Sequence, residues 1–313
     1  MLWAPLLATA LHTSAPAALD VEEAAGRCST VVDALARRPF GQGMNDVVPL
    51  LARLALRQPL VFAHYNDGEA RAAANDKGMC CPIRTDSKSG QPLSPRLRDL
   101  MRGAIGTNVP NFLVGLPCEK EFSGMKRELS GYLPPADARQ SQPTSSTILI
   151  NANYATAHAL LPAILQRHHA SGRRVHLLLS DAANATVFAQ ATGITPASVM
   201  TLPLHAGFPA GYDAHRDAWK GFGEGDVVLL MAGPVGRLLA PEYFKHAPTT
   251  TVLELGSFFD PELGQPVKAG TPYQMHPGTW RPSCEFDGDR AAELSESERT
   301  CLLEVASKVA AHS

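Results

Sequence analysis

Two carboxylates stand two residues apart in Asp67-Gly68-Glu69, directly after the apolar run Pro59 to His64. In a helix their side chains would splay by about 200°, so only extended or turned backbone points both at one ligand. Held that way at a strand end, the pair suits a single Mn2+ or Mg2+ ion, which takes oxygen ligands and keeps positions for water and substrate phosphates. The same residues also make ordinary structure: Asn66-Asp67-Gly68 is a ready turn, Asp67 a good helix cap, and Glu69 a favourable first-turn residue.

The elements that would position such a pair read as an α/β fold, Rossmann-like, with a mostly parallel sheet flanked by helices. Short β-branched and leucine-rich runs alternate with helical segments, the pattern of strand-helix-strand units. Strands are expected at Pro59–His64, Asn111–Val114, Thr147–Ile150, Val175–Leu179, Val199–Leu204, Asp226–Ala232 and Thr251–Leu255. A helix is expected from Ser94, as cap with Pro95 at its first position, to Ile105. Others end near His168-His169-Ala170-Ser171-Gly172, run from an Asp181 cap through Phe188 to Gly193, and cover Asp213–Phe222. The segment from Gly233-Pro234 to His246 should be interrupted or kinked at Pro241. Lys77–Pro92 reads as a long loop and Pro134–Ser146 as a linker, so a lobe boundary near residue 140 is one way to divide a domain spanning 26–313. Residues 1–25 read as a leader or signal segment, and 264–290 as an irregular C-terminal extension rich in Pro, Gly and aromatic residues.

Composition narrows the function. The 313 residues are 45% hydrophobic and 19% charged, enough for a sizeable core, and a net charge of −2 with scattered basic residues lacks the footprint of a nucleic-acid binder. After the start, no apolar run approaches the roughly 20 residues of a membrane span. The apolar stretch Leu2–Leu11, followed by the small residues Thr13–Ala18, has the outline of a signal peptide without its basic n-region. Localisation stays open between the secretory pathway and the cytoplasm. In the first case Asn184-Ala185-Thr186 is a glycosylation acceptor and Cys28, Cys80, Cys81, Cys118, Cys284 and Cys301 are available to pair; in the second they are thiols. No paired two-residue Cys spacing marks a structural zinc site.

The segment His64-Tyr65-Asn66-Asp67-Gly68-Glu69 after a strand resembles the aromatic-x-Asp-Gly-Glu motif of glycosyltransferases with the GT-D fold. Asp226–Ala240, with its strand, Gly233-Pro234 turn and helix, and Thr251–Gly256, a strand ending in glycine, look like that family's late elements, so the resemblance spans about residues 59 to 263. It implies a metal-dependent glycosyltransferase that moves a sugar from a nucleotide-sugar donor, a UDP-sugar favoured, to an acceptor hydroxyl. It implies Asp67 and Glu69 as ligands of Mn2+ or Mg2+. Asn66, Gly68, Asn153, Gly233, Pro234 and Arg237 stand where they would contact the donor, although a Gly-Pro turn, an Asn cap and a solvated arginine are the plainer readings of the last four. For the general base the strand ends offer Asp260, Glu254 and His64; a lone histidine there is otherwise a hydrogen-bonded structural residue. The alternatives are a nucleotide-binding pseudoenzyme and another Rossmann-like transferase, the latter without any Gly-x-Gly-x-x-Gly between strand and helix. A serine or cysteine hydrolase is a further alternative, lowered by the absence of a Gly-x-Ser-x-Gly elbow.

Overall fold

The computed structural model describes residues 18–65, 69, 72–73, 94–117, 126–146, 148–149, 153–180, 183–203, 207–264 and 293–311. Asn66, Asp67, Gly68 and Asp181, the loop Lys77–Pro92, and most of the stretches read as leader and C-terminal extension lie outside them.

Seven parallel strands form one sheet in the order β3-β2-β1-β7-β6-β4-β5. They are β1 (Val61–His64), β2 (Phe112–Leu116), β3 (Gln142–Ser145), β4 (Val175–Ser180), β5 (Ser198–Leu202), β6 (Val227–Met231) and β7 (Thr251–Glu254). β1, β2, β6 and β7 are buried at every residue, because helices cover both faces and each strand must be apolar on both. Successive side chains feed two separate cores: Phe62, Leu113, Leu229 and Leu253 enter one, and Val61, Ala63, Phe112, Val228 and Val252 the other.

The first core is covered by α1 (Ala18–Ala36), α2 (Val47–Ala55), α4 (Tyr154–Ala170), α5 (Ala185–Thr192) and α8 (Glu296–Ala311), which contribute Val32, Leu51, Ile164, Phe188 and Leu302. A disulfide joins Cys28 on α1 to Cys301 on α8, across 273 residues. The second core lies under α3 (Pro95–Ile105), the single turn α6 (Tyr212–His215) and α7 (Gly233–His246), with Leu97, Met101, Tyr212, Leu238 and Tyr243.

α3 begins as its sequence dictates, the Ser94 hydroxyl accepting from Leu97 N–H with Pro95 in the first turn. Four expectations need correcting. The strand expected at Thr147–Ile150 is β3, at Gln142–Ser145 inside the presumed linker, while residues 148–149 form a turn. β3 is an edge strand, where a proline such as Pro143 is tolerated. α5 is capped by Asn184, whose Oδ1 accepts from the N–H groups of Thr186 and Val187. Asp213–Phe222 is not one helix but α6 followed by the 3-10 turn Ala218–Gly221. α7 runs unbroken through Pro241. Proline has no N–H for the carbonyl four residues back, that of Arg237, and the Tyr65 hydroxyl donates to it instead at 3.2 Å.

The two neighbours at the middle of the sheet part company at their carboxyl ends. After β1 the chain enters the second core through Tyr65, Ala73 and Leu97; after β7 it enters the first through Leu255, Phe258, Phe259 and Leu263. Where adjacent parallel strands lead to opposite faces, a crevice opens above their ends, the usual ligand position in such sheets.

Candidate functional site

That crevice holds a buried ionic network drawn from three segments. His64 is the last residue of β1, Glu254 the last of β7, and Arg237 lies one turn into α7. Arg237 Nη1 donates to Glu69 Oε1, Nη2 donates to His64 Nε2 at 2.7 Å, and Nε lies 3.6 Å from Glu254 Oε2. His64 Nδ1 is 2.5 Å from Glu254 Oε2, and Glu254 Oε1 accepts from Gly256 N–H at 3.2 Å. Side-chain exposure is 13% for Arg237, 10% for His64, 4% for Glu69 and zero for Glu254.

Two carboxylates, Glu69 and Glu254, face the one Arg237 guanidinium, and the His64 imidazole bridges Arg237 Nη2 and Glu254 Oε2. Burial pushes the Glu254 carboxyl up, but His64 and Arg237 outweigh it and hold the group below its ordinary value. Burial likewise works against the Arg237 charge, and Glu69 and Glu254 reverse that and raise its pKa. Burial first, then the charge of Glu254, keeps the Tyr65 hydroxyl protonated.

Two glycines give the network its room. A Cβ on Gly115 would sit 3.0 Å from the Cα atoms of both His64 and Ser146. Gly256 has φ +54°, and a Cβ there would meet His64 Cε1 at 2.9 Å. Beside His64 and Glu254 a small cleft of about 30 Å3, space for roughly one water, is lined also by Ser146, Leu149 and Ser257.

Among the described residues, each one singled out from sequence has a definite place. His64, Glu69, Arg237 and Glu254 come together; Asn66, Asp67 and Gly68 are outside the described residues. Arg237 is not solvated. Gly233 and Pro234 open α7 above β6, Gly233 with φ +55° and Pro234 in the first turn. Asn153 is fully buried with Nδ2 donating to Ile148 O at 2.9 Å, a turn-holding bond at the start of α4. Asp260 directly precedes the 3-10 turn Pro261–Leu263 beyond β7, close enough to Tyr154 to help burial and Glu262 push that hydroxyl up to about 12. Among the described residues no group of three His, Cys, Asp or Glu side chains is placed to hold a metal.

Sequence reading missed a second pair on the same rim. His158 Nε2 on α4 lies 2.5 Å from Glu262 Oε1, with the Tyr154 and Phe258 rings 5.0 and 5.7 Å from the imidazole, which stays about one-third exposed. Its only sequence signal is a histidine one turn into the helix after β3, which marks no site on its own.

No protein-family model and no curated protein matches the chain. Among solved structures it is similar to one described as the domain of unknown function 1792, at 12% identity over 87% of this chain and 97% of that one, TM-score 0.48. A second, in which that domain is described as having a distinct glycosyltransferase fold, matches at 14% identity over 87% and 97%, TM-score 0.46. A third, described as a new glycosyltransferase from Streptococcus sanguinis, matches at 14% identity over 81% and 95%, TM-score 0.47. This is a distant likeness, and the chemistry has to be read from the side chains. Among the described residues no helix is long and apolar enough to cross a membrane.

Proposed function

We propose that the protein is a metal-assisted glycosyltransferase acting on a nucleotide-sugar donor, a UDP-sugar favoured, with Asp67 and Glu69 holding Mn2+ or Mg2+. The observation that supports this reading is the convergence of its two motif segments. Glu69, from the Asp-Gly-Glu stretch, and Arg237, from the helix after Gly233-Pro234, are 168 residues apart in sequence and bonded in the crevice.

The donor set suits a cation. Glu69 and Asp67 supply oxygen ligands of the kind that divalent Mn2+ or Mg2+ takes, and Glu254 adds a second buried carboxylate against the same guanidinium. The chemistry that a divalent ion supplies in this position is neutralisation of the diphosphate as the sugar-phosphate bond breaks. The chain's own residues do the rest. Arg237 fixes Glu69, and His64 and Glu254 fix Arg237, so the carboxylate is aimed before any ligand arrives. The N-terminus of α7 at Gly233 and Pro234 turns its partial positive charge toward the crevice, where it favours phosphate oxygens. His158, held through Nε2 by Glu262, is the base that takes the acceptor hydroxyl's proton, because Glu254 is fully buried and both nitrogens of His64 are engaged.

The test is thermal unfolding with UDP and other nucleoside diphosphates, with and without Mn2+, on wild type, Asp67→Ala and Glu69→Gln. Ligand at about 100 times its dissociation constant adds roughly 2.7 kcal/mol of stability. A Mn2+-dependent upward shift, lost in Asp67→Ala, is expected. Cooperative unfolding with no shift for any nucleotide would overturn the reading.

A further inference from the structure

Asn184-Ala185-Thr186 is the one Asn-x-Ser/Thr triplet in the sequence. For it to take an N-linked glycan, two conditions that the sequence leaves open must hold: the chain must fold where that chemistry takes place, and the fold must leave the asparagine within reach.

The disulfide bears on the first. Cys28 and Cys301, on α1 and α8, stand 273 residues apart and are bonded in the folded chain. Disulfides form and persist in oxidising surroundings such as the lumen of the endoplasmic reticulum, where N-linked glycans are also added, and are rare where thiols are kept reduced.

The cap of α5 bears on the second. Asn184 and Thr186 are both exposed, while the same helix turns Phe188 into the core. Asn184 caps the helix through a single side-chain atom: Oδ1 accepts from Thr186 N–H at 2.9 Å and from Val187 N–H at 3.2 Å. Glycosylation uses the other atom. Nδ2 bonds to C1 of the first sugar, the C1–O bond to the diphosphate of a lipid-linked oligosaccharide breaks, the lipid diphosphate leaves with that electron pair, and Nδ2 releases one of its two protons. The amide keeps its oxygen as an acceptor, so the cap and the glycan coexist. The backbone N–H of Asn184 donates to Leu263 O at 3.1 Å, which places the attachment point beside Glu262, the partner of His158, on the rim at the carboxyl ends of the strands.

We propose that Asn184 is an N-glycosylation site, modified as the chain folds in an oxidising compartment of the secretory pathway. The inference does not depend on the metal and donor reading, and its test uses neither.

The experiment is production of the 313-residue chain, from its own first residue, in cultured insect cells, followed by intact-mass measurement before and after treatment with a peptide N-glycosidase. The mass of one glycan is expected, removed by the enzyme, with a peptide map locating at position 184 the deamidation that the enzyme leaves. Thr186→Ser should keep the glycan. Thr186→Ala and Asn184→Asp should lose it while still folding, since both retain an oxygen at position 184 and the two N–H groups that it caps, and both should unfold cooperatively like the enzyme-treated wild type. Wild-type chain with Asn184 unmodified, whether Cys28 and Cys301 are bonded or reduced, or a glycosidase-sensitive mass that persists in Thr186→Ala, would overturn the proposal.

Discussion

Two histidine-carboxylate-arginine groups stand at opposite ends of the same sheet. At the amino ends, Asp226 Oδ2 accepts from Arg174 Nη2 at 2.7 Å and lies 2.9 Å from His176 Nε2, and Arg174 Nε adds a second bond to Oδ1. His176 Nδ1 meets the Ser198 hydroxyl at 2.7 Å, and Arg174 is half exposed. There one guanidinium matches one carboxylate and water reaches the arginine. At the carboxyl ends, Arg237 is buried, donates to His64, and faces two carboxylates. The residue types are shared, so they do not distinguish a brace from a site. What distinguishes them is the crevice above β1 and β7 and the burial of the arginine there.

The contrast breaks most visibly at the arginines. Arg237→Met removes the guanidinium that the buried Glu69 and Glu254 face and should cost about 3–5 kcal/mol in urea unfolding, whereas Arg174→Met, half in water, should cost at most about 1 kcal/mol. Equal losses would end the distinction.

Acid separates the two ends by pH window. Beside the amino ends of the strands, burial and then the charges of Arg173 and Arg57 push His168 down to about 3 from an ordinary 6.5. Its folded pKa is the lower one, so the unfolded chain takes up the proton first and stability falls as pH drops from 6.5 toward 3, by several kcal/mol in total. Glu254 is also held below its ordinary 4.5, and its stabilising contribution is complete above that value and lost only as pH falls beneath it. His168→Gln should therefore flatten the stability profile between pH 6.5 and 4.5, where Glu254 adds no slope, and make the loss shallower from 4.5 down to about 3, measured by unfolding at each pH.

The smallest effect sharpens the link between α7 and β1. Tyr65→Phe removes the donor to the Arg237 carbonyl and should cost about 1 kcal/mol. The substitution should cost less in a Pro241→Ala background, where the helix can supply its own N–H; a double-mutant cycle reads the difference.

Much of the sheet was legible because β4, β6 and β7 are runs such as Val-Val-Leu-Leu-Met, apolar on both faces by necessity. β3 was not, since Gln-Pro-Thr-Ser is short, polar and at the sheet edge, where a strand needs no full set of donors. α8 escaped for another reason: its partners α1 and α4 lie far from it in the chain. α2 was missed although Val47, Leu50, Leu51 and Leu54 recur at helical spacing. At the site, His64, Glu69, Glu254 and Arg237 were visible as strand-end and helix-start residues. The bond from Arg237 to Glu69 was not, and a guanidinium read as solvated is buried. His158 and Glu262 had no signal, because their pairing across 104 residues exists only in the folded chain.

The disulfide between α1 and α8 makes the polypeptide a closed ring in the topological sense, with Cys28 and Cys301 as its clasp. Cutting the backbone once anywhere between them opens the ring without releasing a fragment. A protease nick there would pass unseen on a gel run without reductant and show as two bands with it.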